Sequence, residues 1–486
     1  MAKEFGAADA ARLKAAAQDE LARLNLPGFA IGVVSGERLV YAEGFGFADI
    51  ESGRPQDPNL RQRIGSITKT MIGLCTMALV DEGRLSLTER LVDHIPELTL
   101  HGDGSGITLR HLMTHTAGIG EVAMPDEVRN TEDTLWSKEP DQDVLGLFPN
   151  GLTIDVPPGT KWSYANLGFA LLGEIVSRIE GAPIAEVVRR RVFAPLGMTD
   201  SDLLDRPHSD LTTGYHRAPG EDAGELFVRA GIPVPDEPTV DGVNIRGGFL
   251  HIRGGGAAGA VQSTIPDMAR YASALLRRGG GVIRPETFDA MIAPQWRPDE
   301  RLESWGLTFA RYNRLGRRVF GHGGGVLGGW NSMLHILPSE DLALIVHANC
   351  AFEEFGKFEN RLLAAMLNAS APKLGGDVAI DLLVAAPGVY EAVPGKLTNF
   401  RISGGVGRLQ IKAQEGGLTL YSRRGAWKSG VRMFPAGPTD PDYLHLADDE
   451  LEPTGLVLIR DAGGRVTGLR YGLVQMVRAD QVPPWV

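Results

Sequence analysis

Ser66 and Lys69 are a pair of residues whose types and spacing could do chemistry. The apolar run 71–80 that follows them favours a helix, and residues three apart lie on one face of a helix. Backbone N–H groups at a helix start are unpaired, so they suit a carbonyl oxygen that gains negative charge. A lysine desolvated beside such a helix can lose its proton and activate a serine. The pair is a candidate nucleophile with its activator, although an N-cap serine followed by a solvated lysine has the same pattern.

Two later stretches could complete such a site. Tyr164 and Asn166 precede a long predicted helix, where a tyrosine hydroxyl could relay a proton and an asparagine could hold the lysine or a substrate carbonyl. The stretch 322–325, His-Gly-Gly-Gly, lies between strand-like runs, and its glycines would let a substrate approach a sheet edge closely. A backbone N–H there could form the second half of an oxyanion hole. Taken separately, the first stretch is also typical of an interface aromatic followed by a helix cap. The second is also typical of a flexible turn with a surface histidine.

Three other patterns lack the surroundings that their chemistry needs. The stretch 254–259 satisfies G-x-G-x-x-G, but no clear parallel βαβ unit surrounds it and glycines stand where an acidic residue would bind a ribose. His111 and His115 are spaced for a shared metal, yet the glutamate of the metalloprotease pattern and an obvious third ligand are missing. Ser66 is not in a G-x-S-x-G elbow, since other residues occupy both glycine positions. The sequence therefore favours neither a dinucleotide site nor a metal site.

Composition sets the broad class of the protein. The chain has 486 residues, a length that predicts two or three domains, and 43% of them are hydrophobic, enough for a sizeable core. A net charge of -11 without a basic cluster argues against nucleic-acid binding. Cys75 and Cys350 are the only cysteines, too few for a disulfide framework or a four-cysteine zinc site.

The N-terminal residues carry no recognisable targeting signal. They lack the apolar core of a signal peptide, and the chain contains no stretch of about 18 apolar residues that could span a membrane. We expect a cytoplasmic protein without a membrane span. A leader removed beforehand would leave no trace in this sequence.

Periodicity predicts a helix packed on an antiparallel sheet at the start of the chain, with a helix at 8–24 and strands at 29–34 and 38–47. Residues 121–158 and 205–253 are polar, rich in Pro or Gly and weakly periodic, which is typical of lids or insertions near a site. Further helices are predicted at 66–82, 108–115, 166–180, 183–193, 264–278 and 355–369, and further strands at 305–311, 333–337 and 342–348.

The character of the sequence changes after Pro372. From about 388 to 477, short alternating runs are broken by Gly, Pro and Asp, which predicts a separate antiparallel β-barrel. The strands predicted there are 409–412, 418–422, 444–446, 456–460 and 466–471. The predicted organisation is a catalytic domain at 1–370, a linker at 371–387 and a β-barrel-like domain at 388–486.

The motifs gain specificity from their order along the chain. Ser66-x-x-Lys69, Tyr164-x-Asn166 and His322-x-Gly324 together resemble the serine β-lactamase and penicillin-binding-protein superfamily. The likeness is strongest to its class C β-lactamase-like branch, with its esterases and D-amino-acid peptidases. Stretches 108–119, 157–159 and 255–267 are similar to supporting parts of that family. The resemblance covers roughly residues 10–370, and some members carry an appended barrel described as lipocalin-like.

The resemblance implies a fold and a set of residue roles. The fold would be α+β, an antiparallel sheet flanked by helices with an all-helical lobe and a cleft at their junction, followed by a C-terminal antiparallel β-barrel-like (lipocalin-like) domain. Ser66 would be the acylated nucleophile, and Lys69 and Tyr164 would share the general-base and proton-relay work. Asn166 would orient Lys69 and the substrate. The backbone N–H groups of Ser66 and Gly325 would make the oxyanion hole.

The third motif departs from the β-lactamase pattern. His322 stands where β-lactamases and many penicillin-binding proteins have lysine, although Gly324 keeps the glycine of the motif. Gly323 also removes a hydroxyl that could bind a substrate carboxylate. Lysine offers a fixed charge, whereas histidine carries at most a partial charge near pH 7. The change weakens assignment as a β-lactamase or transpeptidase, and in the family His-x-Gly occurs in esterases and in some peptidases and amidases.

We therefore predict a serine hydrolase that cleaves carboxylic esters through an acyl-enzyme on Ser66 and requires no metal or organic cofactor. The first alternative is a D-amino-acid or small-peptide aminopeptidase or amidase, followed by a transacylase. A β-lactamase and a non-catalytic binding module are weaker alternatives, because a binding module has no need for the intact set of motif residues. The expected partner is a small-molecule ester or amide, without nucleic acid or membrane, and a homo-oligomer is compatible with the sequence.

Overall fold

The computed structural model describes residues 5–120, 136–137, 139–217, 239–395, 397–437 and 439–479. Within these ranges, no helix is both long enough and apolar enough to cross a membrane. The same residues include no group of three or more His, Cys, Asp or Glu side chains placed to hold a metal ion.

The strands are numbered in chain order. The first part of the chain contains β1 (Gly28–Ser35), β2 (Arg38–Asp49), β3 (Arg54–Pro55), β4 (Gln62–Arg63), β5 (Leu100–His101), β6 (Trp136–Ser137), β7 (Leu152–Thr153), β8 (Tyr215–Arg217), β9 (Asn244–Arg246), β10 (His251–Ile252), β11 (Gln262–Ser263), β12 (Ser304–Trp305), β13 (Ala310–Arg314), β14 (Arg317–Val326), β15 (Trp330–Leu337), β16 (Leu342–Ala348) and β17 (Cys350–Ala351). The C-terminal part contains β18 (Gly388–Ala392), β19 (Leu409–Gln414), β20 (Gly417–Ser422), β21 (Val431–Pro435), β22 (Tyr443–Leu446), β23 (Gly455–Arg460), β24 (Val466–Tyr471) and β25 (Val474–Arg478).

The helices are numbered in the same way. They are α1 (Ala7–Leu24), α2 (Thr68–Asp81), α3 (Leu91–His94), α4 (Leu109–Met113), α5 (Asn166–Glu180), α6 (Ile184–Val188), α7 (Ala194–Leu196), α8 (Ile265–Leu276), α9 (Pro285–Ile292), α10 (Phe355–Leu367), α11 (Ile380–Ala385) and α12 (Phe400–Gly405). Short 3-10 turns lie at Gly65–Ile67, Leu145–Leu147, Gly254–Gly256 and Gly425–Trp427, and a π-helical turn at Arg189–Phe193 joins α6 to α7.

An eight-stranded antiparallel sheet, in the order β12-β13-β14-β15-β16-β1-β2-β3, forms the centre of the first part of the chain. The residues of strand β1 are apolar and buried up to Val34 because both faces of the sheet are covered. Ile31 and Val33 belong to the core that includes α1 and α10, whereas Ala30 and Val34 belong to the core that includes α2 and α8. Successive side chains of a strand point to opposite faces, so one short run serves both cores.

Helices α2, α5 and α6 pack against one another and form the helical lobe beside the sheet. Leu74, Phe169 and Val187, one from each helix, are fully buried in a single apolar cluster. That cluster is continuous with one face of the sheet. The predicted α+β arrangement of a sheet, flanking helices and a helical lobe is therefore confirmed.

The C-terminal part is a closed antiparallel barrel of the eight strands β18 to β25. Each strand pairs with the next, and β18 pairs with β25 to close the ring. Side chains alternate between inside and outside, so that Leu409, Leu420, Leu444 and Leu469 are all fully buried. The predicted β-barrel is confirmed, and its interior is a packed apolar core.

Several predicted elements differ in detail. The strand predicted at 305–311 is two strands, β12 and β13, separated by a turn in which Thr308 has a φ of +72°. The helix predicted at 66–82 starts as the 3-10 turn Gly65–Ile67 before α2 begins. The glycine-rich stretch that could have been a flexible turn is the extended strand β14.

Two predicted segments fall partly outside the described residues. Of the proposed lid at 121–158, the described part contains β6, a 3-10 turn and β7. Of the proposed insertion at 205–253, the described part contains β8, β9 and β10. The division into domains with a linker at 371–387 remains a prediction, and helix α11 lies within that linker.

Candidate active site

Ser66 lies on the 3-10 turn that joins β4 to helix α2. The turn begins at Gly65, whose φ of +54° is in the left-handed region that favours glycine. A Cβ at Gly65 would lie 2.8 Å from the backbone nitrogen of Gly325, so only a glycine lets the turn press this closely against β14. Ser66 keeps partial exposure to solvent, whereas Lys69 is fully buried.

Lys69 connects three segments of the chain. Its Nζ donates to Ser66 Oγ at 2.9 Å, to Asn166 Oδ1 at 2.7 Å and, in a shorter contact, to the carbonyl oxygen of Ala258. A lysine ammonium has three N–H donors and no acceptor, so these three oxygens match its charged form. The buried lysine is thereby held within hydrogen-bond distance of the serine oxygen.

Tyr164 and Asn166 flank Ala165, the N-cap of helix α5. The helix start directs the Asn166 amide to Lys69, and the centre of the Tyr164 ring lies 5.1 Å from Lys69 Nζ. The Tyr164 ring also lies 6.1 Å, centre to centre, from the ring of His322 on β14. One helix start therefore brings two of the predicted residues to the buried lysine.

Strand β14 supplies the two predicted glycines. A Cβ at Gly324 would lie 2.0 Å from the carbonyl oxygen of Ile64, which also accepts a hydrogen bond from Ser332 Oγ at 2.7 Å. Gly324 is therefore required by close backbone packing. The next residue, Gly325, lies beside the turn that carries Ser66, as its contact with Gly65 shows.

His322 is buried, with only 4% of its surface exposed. Its Nδ1 lies 2.5 Å from the carbonyl oxygen of Gly323, a contact in which the ring nitrogen donates. Burial, and to a lesser degree the charge of Lys69, lowers the pKa of His322 to about 3. The ring is therefore neutral near pH 7, at the lower limit of the partial charge that the sequence allowed, and Nε2 carries a lone pair.

His115 also belongs to this site, although the sequence suggested it only as a metal ligand and argued against that role. Its backbone φ is +57°, and its Nδ1 accepts the N–H of Ala165 at 3.1 Å. Its ring lies 4.1 Å from the ring of Tyr164, and burial, aided by the charge of Lys69, holds its pKa well below the usual value. The signal in the sequence is its position in the stretch 108–119, which is similar to a supporting part of the family.

Two further residues face Tyr164 without a signal in the sequence. Trp305 of β12 lies 6.2 Å from Tyr164, ring centre to ring centre, at nearly a right angle. Arg401 of α12, which comes from the C-terminal part, lies over the Tyr164 ring with its Cζ 4.7 Å from the ring centre. The surroundings of Tyr164 therefore come from both parts of the chain.

The patterns that the sequence argued against lie elsewhere or serve another purpose. The stretch 254–259 contributes the carbonyl of Ala258 that accepts from Lys69, so it lines the site instead of binding a nucleotide. His111 is not directed to a metal with His115, since its Nδ1 contacts the backbone N–H and the hydroxyl of Thr108. All seven predicted site residues, in contrast, meet at one place between β14, α2 and α5.

A serine and a buried lysine one helical turn apart, beside an antiparallel sheet and a helical lobe, define the class of hydrolases with the β-lactamase fold. The family model described as Beta-lactamase matches residues 13–368, which is more than half of the chain. The chain therefore belongs to the Beta-lactamase family.

Curated relatives match over part of their length. The chain is 30% identical to esterase EstB of Burkholderia gladioli over 234 residues, which are 46% of this chain and 59% of the relative. It is 27% identical to a β-lactamase of Escherichia coli K12 over 253 residues, which are 52% of this chain and 57% of the relative. The chain thus spans a little over half the length of these two relatives.

Solved structures share the fold over a larger share of the chain. An octameric penicillin-binding-protein homologue from Pyrococcus abyssi is 20% identical with a TM-score of 0.62, covering 96% of this chain and 99% of that one. The D-amino acid amidase of Ochrobactrum anthropi SV3 is 23% identical with a TM-score of 0.61, covering 74% of this chain and 98% of that one. The first likeness extends across the C-terminal part, and the second covers about three quarters of the chain.

Proposed function

We propose that this protein is a serine hydrolase that cleaves carboxylic esters through an acyl-enzyme on Ser66. The observation that carries the proposal is the fully buried Lys69, whose Nζ lies 2.9 Å from Ser66 Oγ. Burying an ammonium is costly unless its donors are satisfied, and packing alone gives no reason to place one beneath a half-exposed serine. Activation of a nucleophile accounts for both the burial and the contact.

The reaction begins when Ser66 Oγ attacks the ester carbonyl carbon and its proton passes to the base formed by Tyr164 and Lys69. The carbonyl oxygen becomes an oxyanion, which the backbone N–H groups of Ser66 and Gly325 stabilise. The bond from the acyl carbon to the leaving oxygen breaks as that oxygen takes up the proton, so an alcohol departs. Water then attacks the acyl carbon and gives a proton to the same base. The base returns a proton to Ser66 Oγ, and the carboxylic acid is released.

The contacts of Lys69 favour Tyr164 as the group that first accepts the proton. The N–H groups of Lys69 are directed to Ser66, Asn166 and Ala258, which suits a cation that holds the serine oxygen in place. That cation lies 5.1 Å from the centre of the Tyr164 ring, close enough to stabilise a phenolate. Lys69 would thus act through its charge, and Tyr164 through its oxygen.

The charges around the site favour a neutral or anionic acyl group over one with a free ammonium. Lys69 and Arg401 are cations beside Tyr164. The charged groups that shift the pKa of His115 or His322 are basic side chains, and no carboxylate is among them. Within the described ranges, a substrate ammonium therefore meets no counter-charge at these histidines, and this supports a simple ester as the substrate.

An amidase or aminopeptidase acting on D-amino acids or small peptides is the second candidate. His322 uses Nδ1–H in its contact with Gly323, so its Nε2 can accept a hydrogen bond. An amide substrate has an N–H to offer, whereas an ester has none. The likeness to the D-amino acid amidase of Ochrobactrum anthropi SV3 adds only a shared fold to this argument.

Acyl transfer to an alcohol, β-lactam hydrolysis and ligand binding without catalysis remain weaker alternatives. Adding alcohol acceptors and searching for new esters separates transfer from hydrolysis. For assembly, the octameric homologue from Pyrococcus abyssi is the reason to expect a homo-oligomer, which sedimentation of the full chain would measure. The expected cytoplasmic location remains a prediction.

Intact-protein mass spectrometry during exposure to a short p-nitrophenyl ester tests the proposal. We expect a transient acyl adduct and release of p-nitrophenol with the natural sequence, and neither with Ser66→Ala. Ser177→Ala, at a half-buried serine near the far end of α5, is the matched control and should behave like the natural sequence. Equal hydrolysis by Ser66→Ala would overturn the role of the nucleophile. Faster turnover of matched p-nitroanilides than of esters would favour the amidase.

A further inference from the structure

Residues 397–401 of the C-terminal part, called here the docking segment, lie against the loop that carries Tyr164. Lys161 is buried beneath this segment, with 7% of its surface exposed. Its Nζ donates to Thr398 Oγ1 at 2.9 Å and, in a shorter contact, to Asn399 Oδ1. A lysine of the catalytic part is therefore satisfied by hydrogen bonds to the C-terminal part.

An aspartate holds the same segment from the other side. Asp155 accepts from both the backbone N–H and the hydroxyl of Thr398, each at 2.8 Å. Gly120 packs so closely that a Cβ there would lie 2.6 Å from the Cβ of Leu397. One buried lysine, one half-buried aspartate and one close backbone approach thus fix where the docking segment can lie.

Arg401 follows these anchors and lies over the ring of Tyr164, 4.7 Å from Cζ to the ring centre. Within the described residues, the other groups that can titrate and face this ring are Lys69, at 5.1 Å from Nζ to the ring centre, His115, at 4.1 Å between ring centres, and His322, at 6.1 Å. Burial is the main cause that lowers the pKa of both histidines, so both are neutral near pH 7. Among these facing groups, the positive charges at the ring therefore come from Lys69 and Arg401.

We infer that Arg401 is a positioning residue of the active site, which fixes the ring of Tyr164 and favours the ionised form of its hydroxyl. The inference rests on the proposed function, in which Tyr164 accepts the proton of Ser66. A guanidinium over an aromatic face is attracted by the ring quadrupole, and a nearby cation favours a phenolate over a phenol. The C-terminal part would then take part in catalysis, because the docking segment sets the place of this charge.

The test compares Arg401→Gln, which removes the charge, with Arg401→Lys, which keeps it. A cation at this range changes a titration midpoint by about one pH unit. We expect Arg401→Gln to move the ascending limb of the pH profile of acylation to higher pH by about that amount. At pH values below the limb, the rate of acylation should fall about tenfold. Arg401→Lys should retain most of the natural profile. The matched control is Arg408→Gln, an exposed arginine paired with Glu391 on the barrel, which should change neither limb nor rate.

A second measurement does not depend on turnover. The ultraviolet absorbance of tyrosinate is titrated in each Arg401 variant with and without Tyr164→Phe, so that the difference isolates Tyr164. A midpoint that rises in Arg401→Gln and not in Arg401→Lys supports the inference. An unchanged midpoint overturns it, even if Ser66→Ala still abolishes acylation and the hydrolase itself stands. The inference would also be overturned if both Arg401 variants lost rate equally and the limb of the pH profile stayed in place. That result would mean that Arg401 acts only by packing against Tyr164 and not through its charge.

Discussion

The buried ion pair between Arg63 and Asp205 leads to a prediction about stability. Their side chains are 0% and 4% exposed and meet at 2.9 Å. Arg63 Nη1 also donates to the carbonyl of Leu250 at 2.5 Å, and Asp205 accepts the N–H of Ile252 at 2.5 Å. The pair therefore ties the segment between α7 and β8 to strand β4, whose Arg63 lies three residues before Ser66.

The cost of breaking this pair depends on which partner is removed. Burial lowers the pKa of Arg63 to about 10, although the charge of Asp205 opposes this, and burial raises the pKa of Asp205, although Arg63 and the N–H of Ile252 oppose that rise. Asp205→Asn leaves a guanidinium that stays charged at neutral pH in an apolar setting, and removing one partner of a buried pair costs about 3–5 kcal/mol. Arg63→Met should cost less, because the remaining carboxyl can take up a proton and become neutral. The double variant Arg63→Met with Asp205→Leu should recover much of the loss.

Urea unfolding at pH 7 measures these differences from the midpoints, provided that the slope is unchanged. Glu300→Gln serves as the control, since Glu300 pairs with Arg297 at 3.4 Å while 87% exposed, and such pairs contribute less than about 1 kcal/mol. An Asp205→Asn variant as stable as this control would refute the reasoning. So would a larger loss in Arg63→Met than in Asp205→Asn, because the order of the two follows from which residue can be neutralised.

Three shorter predictions follow from burial and close packing. Gly324→Ala should abolish ester hydrolysis, because its Cβ would lie 2.0 Å from a backbone oxygen, whereas Gly356→Ala, with open space around it, should leave initial rates unchanged. Burial lowers the pKa of His322 to about 3, so His322 does not titrate between about pH 5 and pH 9. His322→Gln should therefore leave the limbs of the pH profile of kcat/KM at the same pH in this range, even if the rate falls. Loss of a limb near pH 6.5 in the variant would contradict this. Burial raises the pKa of Glu359 to about 8, so the stability given by its protonated form is present at low pH and is lost as the pH rises toward 8. In Glu359→Gln, the free energy of unfolding should fall less steeply with pH, by about 1.4 kcal/mol per pH unit. Urea unfolding at several pH values in this range measures the dependence. The same dependence in the variant and in the natural sequence would show the expectation to be wrong.

The sequence alone was most informative where chemistry depends on local spacing. Ser66 and Lys69 are three residues apart, and a helix turns that spacing into contact without help from the rest of the chain. Tyr164 and His322 are far from them in sequence, so only the order of motifs and the family resemblance placed them together. The neutral state of His322 could not be foreseen, because it follows from burial that the tertiary structure creates.

The fold was predicted best where a pattern had a single interpretation. Strand β1 and helix α2 carry long apolar runs with clear ends, and they appear near their predicted bounds. Strand β14 was harder to predict, because glycines have low β propensity and this strand uses them for close backbone contacts that only the folded state reveals. Arg401 had no signal at all, since its position over the Tyr164 ring depends on where the barrel lies against the family-matched region.

The pairing of β1 with β16 has a consequence for how the protein is made. These neighbouring strands, with Val33 opposite Leu344, come from near the beginning and the end of the family-matched region. During synthesis, β1 leaves the ribosome long before its partner exists, and its two apolar faces have no finished core to enter. Nascent chains released before β16 has emerged should therefore aggregate or require a chaperone. Chains released after α10 should be the first in which the family-matched region folds completely.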